Sequence, residues 1–210
     1  MSFSKNGYEV VRNVISKDLL HHLKTEFEMM RDVQFFNTGE TNNFAFSDKQ
    51  SPNSFSVFSA QCFESLAINL NDRMSEITNL KLHPTYTYAR IYYKGATLKP
   101  HRDRPSCEYS TTLCIDSTDI WDFYIKDRDG EEKCIKLNPG DMCVYSGCEL
   151  VHWRNLYKGK RQIQCFLHYV NAKGPYADHK YDKRPMMGLY TRIYTGEHTE
   201  LQEQNKITYQ

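Results

Sequence analysis

His101, one spacer and Asp103 sit in "KPHRDRPSCEYSTTLCID", and a second histidine, His152, follows in "CELVHWR". Two neutral imidazoles and one carboxylate can bind one triangular face of a divalent metal and leave the opposite positions open, the donor set of many non-haem iron sites. A His-x-Asp pair on its own is also an ordinary polar turn, so its meaning depends on what the rest of the chain supplies. Zinc accepts the same three donors together with a water, which leaves a hydrolytic reading open at this point. Arg161 adds a second signal. It alternates with Ile163, Cys165 and Leu167, so a guanidinium stands where the pattern otherwise wants apolar side chains. Such a group calls for an anion, and a carboxylate gripped by both arms of the guanidinium satisfies it. If "NLYKGK" turns between antiparallel neighbours, His152 and Arg161 fall side by side.

These residues need a scaffold, and the strand grammar from residue 85 onward supplies one. The β-rich runs "TYTYARIYY", "TLKPH", "EYSTTLCID", "WDFYIK", "KCIKL", "DMCVYS", "ELVHWR" and "RQIQCFLHYV" make eight candidate strands. Turn residues such as "DRDGEE", "NPGD" and "YKGK" separate them. Eight short strands in one block predict a jelly roll, with two sheets burying alternate side chains between them. The fold class is therefore mainly β with flanking helices, around a double-stranded β-helix core.

Before that block, "GYEVV" reads as a short strand. Ser16 follows as an N-cap with Asp18 in the first turn of a helix, whose Leu19, Leu20, Leu23, Phe27 and Met30 form a packing face. Residues 34–53 are polar and aperiodic, a loop able to fold over a site. "FSAQCFESLAINLNDRMSEITN" predicts a second helix with Phe63, Leu66, Ala67, Leu70, Met74 and Ile77 on its inner face. The chain thus divides into support (1–84), catalytic core (85–170) and a C-terminal extension (171–210), within one domain of 210 residues.

Composition narrows the function classes. Lys plus Arg number 27 against 26 Asp plus Glu, which gives no long-range field to collect nucleic acid or anionic membrane. No apolar run approaches the roughly 20 residues needed to cross a bilayer, and "MSFSKNGYEV" lacks the apolar region of a signal peptide. The expectation is a soluble, cytoplasmic chain. Seven cysteines without paired CxxC spacing argue against a disulfide framework.

The pattern Tyr92-x-x-Gly95, His101-x-Asp103, "NPGDMCVYSG", His152 and Arg161 resembles the 2-oxoglutarate and Fe(II)-dependent dioxygenases, especially their prolyl-hydroxylase-like branch, over roughly residues 85–170. The resemblance implies that His101, Asp103 and His152 hold Fe(II), that 2-oxoglutarate chelates it through its keto-acid end, and that Arg161 clamps the distal carboxylate. It also implies co-substrate contacts from Tyr92 and from Thr112. The implied reaction consumes O2 and 2-oxoglutarate, releases succinate and CO2, and oxidises a substrate C–H bond, with ascorbate as a stimulant. Asp103 favours hydroxylation, because halogenating relatives have lost this carboxylate. The implied substrate is a prolyl or other amino-acid residue of a peptide or protein, or a small molecule. A zinc hydrolase and a non-catalytic jelly-roll binding module stand as alternatives.

Overall fold

The computed structural model describes residues 2–36, 44–46 and 50–189. Four α-helices, α1 (Ser2–Asn6), α2 (Lys17–Phe36), α3 (Gln61–Asn69) and α4 (Asn71–Thr78), accompany eleven strands among these residues. The strands are β1 (Tyr8–Val11), β2 (Phe44–Phe46), β3 (Ser54–Phe58), β4 (Leu82–Tyr93), β5 (Leu98–His101), β6 (Tyr109–Ser117), β7 (Phe123–Lys126), β8 (Glu132–Ile135), β9 (Met142–Ser146), β10 (His152–Arg154) and β11 (Arg161–Asn171). They form a seven-stranded sheet in the order β1-β9-β6-β11-β4-β3-β2 and a four-stranded sheet in the order β5-β10-β7-β8. All pairings are antiparallel. This is the expected jelly roll with flanking helices, and each of the eight predicted runs contains a strand.

Alternation assigns the two faces of the large sheet to different work. Ala89, Ile91, Leu113, Ile115, Ile163, Cys165 and Leu167 point outward and pack against Leu23 and Phe27 of α2, Phe63 and Ala67 of α3, and Met74 of α4. The opposite face looks into the space between the sheets, where Cys114, Cys143 and Tyr145 meet Phe123 and Ile125 of the small sheet. Ser16 caps α2 as expected, its Oγ accepting from the Leu19 amide at 3.2 Å. The single helix expected over 58–79 is instead two: the backbone leaves helical geometry at Leu70 (φ −91°, ψ 0°) between Asn69 and Asn71. Asparagine side chains compete for local backbone hydrogen bonds, which favours a break there. Part of the loop expected over 34–53, and the extension beyond residue 189, lie outside the described residues. Within the remainder of that extension, a short 3-10 segment (Ala177–Lys183) crosses β4.

The sequence reading placed the strands of His152 and Arg161 side by side, and the structure corrects this. β10 pairs with β5 and β7 in the small sheet, whereas β11 pairs with β4 and β6 in the large one. The chain passes from the small sheet to the large one between β10 and β11, so "NLYKGK" is a crossover and not a hairpin.

Candidate metal centre

β5 and β10 are neighbours, with His101 directly opposite His152 in the ladder. Asp103 lies just past the end of β5, its amide donating to the Gly147 carbonyl at 2.9 Å. That turn brings its Oδ1 to 3.6 Å from His101 Nε2 and 3.5 Å from His152 Nε2. All three donor atoms lie within 4.8 Å of one another.

The residues fit a cation in their chemistry as well as their placement. His101 Nδ1 lies 2.8 Å from the Lys99 carbonyl and His152 Nδ1 lies 3.0 Å from that of Leu150. A carbonyl can only accept, so each Nδ1 carries the proton and each Nε2 turns a lone pair toward Asp103. Fixing the tautomer through the far ring nitrogen is the usual support of a metal-binding histidine. Asp103 Oδ2 accepts from Ser110 Oγ at 2.9 Å, which leaves Oδ1 facing the imidazoles. Burial opposes ionisation of Asp103, but a proton on the His152 ring, standing where a cation would otherwise sit, together with His168 and the Ser110 hydroxyl holds its pKa down at about 2. Burial, helped by His152, lowers the pKa of His101, which keeps that ring neutral.

Gly147 makes room for the carboxylate. A Cβ there would stand 2.3 Å from the Cys107 carbonyl oxygen, 2.4 Å from Asp103 Oδ2 and 2.8 Å from Ser110 Oγ. The three donors open on a cavity of about 220 Å³ walled by Tyr86, Tyr88, Arg90, Tyr92, Phe123 and Phe166. Tyr145 packs its ring on His152 at 4.6 Å. A second cluster, Asp103 with Cys107 and His168, shares the carboxylate. Its members are otherwise engaged, Cys107 Sγ with Tyr86 Oη at 3.1 Å and His168 Nδ1 with Ser110 Oγ at 2.9 Å.

Of the other residues singled out in the sequence, Tyr92 is fully buried and lines the cavity, and its hydroxyl has no hydrogen-bond partner among the described residues. Thr112 is buried on the inner face of β6, donating to Gln164 Oε1 at 3.0 Å. Arg161 is not in the cavity. It does alternate with Ile163, Cys165 and Leu167, but that is the helix-facing side of the sheet. Its two terminal nitrogens pair there with Glu28 of α2 and, at 2.5 Å, with Asp116 Oδ2. The anion that its placement demanded is supplied by the protein itself.

The residue that meets the description is Arg154, which the sequence reading passed over. It lies two positions after His152 on the same buried face of β10. Among the described residues it has no acidic partner: it donates to the Trp121 carbonyl at 2.5 Å and to Thr112 Oγ1 at 3.3 Å, and its Nε has no partner. Arg154 closes the run "ELVHWR" and alternates with His152, the same spacing of two that singled out Arg161.

No protein-family model matches the chain, and no curated protein matches it in sequence. Its fold is that of the 2-oxoglutarate- and Fe(II)-dependent oxygenases. A prolyl-4-hydroxylase from Pseudomonas putida superposes with a TM-score of 0.60 at 16% identity, over 81% of this chain and 95% of that one. AviO1 from Streptomyces viridochromogenes gives 0.66 at 15% identity, over 82% and 93%. HygX from Streptomyces hygroscopicus gives 0.62 at 12%, over 81% and 85%, in structures holding nickel and 2-oxoglutarate without or with hygromycin B.

Proposed function

We propose that this chain is a 2-oxoglutarate- and Fe(II)-dependent oxygenase that hydroxylates a C–H bond, with release of succinate and CO2. The observation that carries the reading is the convergence of His101 Nε2, His152 Nε2 and Asp103 Oδ1 at the mouth of a cavity, both imidazoles pinned in the metal-binding tautomer. His101, Asp103 and His152 would hold Fe(II), which supplies O2 activation coupled to oxidation of the keto acid. The protein's part is to fix three donors on one side, keep the cavity side open and orient what enters it. Tyr145 and Phe123 hold the His152 ring by packing. Tyr86, Tyr88 and Phe166 give the substrate an aromatic wall. Substrates of the proposed class are a peptidyl or free amino acid or a small molecule, and HygX, crystallised with hygromycin B, supports the small-molecule end of that range.

A zinc hydrolase would use the same three donors. Arg161 no longer separates the two readings, since Glu28 and Asp116 account for it. The test is spectroscopic. Anaerobic addition of 2-oxoglutarate to the Fe(II)-loaded protein should give a weak visible charge-transfer band, which a hydrolase or a binding module would not. Succinate release across prolyl peptides, free amino acids and aminoglycosides then finds the substrate.

A further inference from the structure

The turn between β5 and β6 carries the metal-binding carboxylate, and it is held from two sides. On one side the Asp103 amide donates to the Gly147 carbonyl at 2.9 Å, and the Gly147 amide donates to the Glu108 carbonyl at 2.9 Å. On the other lies the 3-10 segment Ala177–Lys183 of the C-terminal extension. Its Asp182 is 1% exposed and accepts from both arms of Arg104, the residue after Asp103, at 2.8 and 2.9 Å. Ser106 joins the same contact. A carboxylate facing a guanidinium can only accept, so the Ser106 hydroxyl gives its proton to Asp182 Oδ1 at 2.7 Å. Its lone pairs then take donors from Arg104 at 2.7 Å and from His179 Nδ1 at 2.8 Å.

This contact is kept against local backbone preference. Tyr181, Asp182 and Lys183 stand in the left-handed region, with φ of 54°, 55° and 64°, which residues with a Cβ visit singly rather than in runs. Such backbone persists only where its surroundings over-determine it, and it gathers at functional sites. Anchoring the segment does not require it, because Arg184 already fastens the same stretch to Glu64 at 2.7 Å and to the Thr85 carbonyl at 2.9 Å. The Asp182 fork is additional to that anchor, and it is aimed at the turn that bears the ligand.

A second route passes through the cavity wall. The Arg104 guanidinium carbon lies 4.4 Å from the ring centre of Tyr86, which packs on the His168 ring at 4.5 Å. Because Ser110 spends its proton on Asp103 Oδ2, His168 Nδ1 is the donor to Ser110 Oγ at 2.9 Å. Contacts therefore run from Asp182 through Arg104, Tyr86, His168 and Ser110 to the far oxygen of the metal-binding carboxylate.

Resting on the metal-centre reading, we propose that Asp182 is a positioning residue for the metal: by clamping Arg104 it fixes the turn on which Asp103 stands, and it neutralises a cation next to the site. The C-terminal extension thus belongs to the metal centre through a residue that is not a ligand.

The test titrates Co(II), whose visible bands report the number and geometry of its ligands, into the full chain. Loss of a group that supports a metal ligand lowers metal affinity about 10–100-fold. Asp182→Asn, which keeps the shape and loses the charge, should weaken Co(II) binding by that order and alter the bands. Arg104→Lys, with charge but no planar fork, should weaken it less. Glu28→Gln breaks an ion pair on the helix-facing side of the large sheet, so it should keep parental affinity and bands. Should Asp182→Asn not fold, Arg104→Lys decides, and parental affinity there overturns the proposal. Parental affinity in Asp182→Asn, or weaker binding with parental bands, also overturns it, since the ligands would then keep their places without the clamp. An equal loss in Glu28→Gln overturns it too, by making the effect one of general loosening. In each of these cases the metal centre itself stands. A parent that binds neither Co(II) nor Fe(II) removes that reading and this inference together.

Discussion

Asp103 has one oxygen for a metal only because Ser110 and Gly147 arrange the other. Losing a group that orients a metal ligand typically lowers metal affinity about 10–100-fold. Ser110→Ala should therefore weaken Fe(II) or Co(II) binding by that order, measured by anaerobic titration. Gly147→Ala should do worse, because its Cβ would stand 2.4 Å from Asp103 Oδ2 with backbone on the other side at 2.3 Å. Unchanged metal affinity in Gly147→Ala would show that the carboxylate does not occupy this position in solution. Removing a ligand itself, in His101→Ala or His152→Ala, should abolish turnover. Asp103→Ala should end hydroxylation while two imidazoles retain weak metal binding.

At the level of elements, α2 is fastened to the large sheet through charged residues of its middle turns. Arg161 of β11 bonds Glu28 of α2 and Asp116 of β6, and Lys24 of α2 reaches Asp116 at 3.3 Å. These groups are half-buried, so the pair is worth less than a fully buried one. Glu28→Gln should lower stability by about 1–2 kcal/mol in urea unfolding, with keto-acid binding unaltered. A second fastening holds the C-terminal segment. Arg184, fully buried, donates to Glu64 Oε1 of α3 at 2.7 Å and to the Thr85 carbonyl at 2.9 Å. Glu64→Ala would strand that cation and should cost about 3–5 kcal/mol, seen as a lower unfolding midpoint and earlier proteolysis near residue 184. Equal midpoints for the parent and Glu64→Ala would contradict this.

The whole molecule should respond to pH through its buried imidazoles. Burial lowers the pKa of His168 to about 4 from an ordinary 6.5. The unfolded chain therefore takes up a proton before the folded one does. Its contribution is complete above pH 6.5 and declines as pH falls toward 4, by on the order of 3 kcal/mol. Asp103 acts in a lower window: its depressed pKa of about 2 supplies stability above pH 3.8 that is lost as pH falls through 2. In the metal-free chain, urea midpoints should drop from pH 7 to pH 4, with a shallower drop in His168→Gln. A midpoint constant over that range would refute the burial of a neutral His168. Among the described residues no helix is long and apolar enough to cross a membrane.

The strand runs, the cap at Ser16 and the donor set His101, Asp103 and His152 were legible in the sequence because each follows from local spacing: alternation for strands, side-chain chemistry at helix starts, donor type for metals. The two sheets that bring β5 against β10 could only be inferred from strand number. Arg161 shows where local spacing stops. Alternation correctly gave its companions, Ile163, Cys165 and Leu167, but a two-sided sheet has two buried faces, and the period of two does not say which one meets the helices. That choice was made by α2, whose Glu28 lies 133 residues away in the chain. The same tertiary decision left Arg154, on the inward face of its strand, without an acid, and placed Gly147 and Ser110 behind Asp103. Each of these depends on contacts between elements distant in sequence or lodged in different sheets, whose register no local pattern encodes.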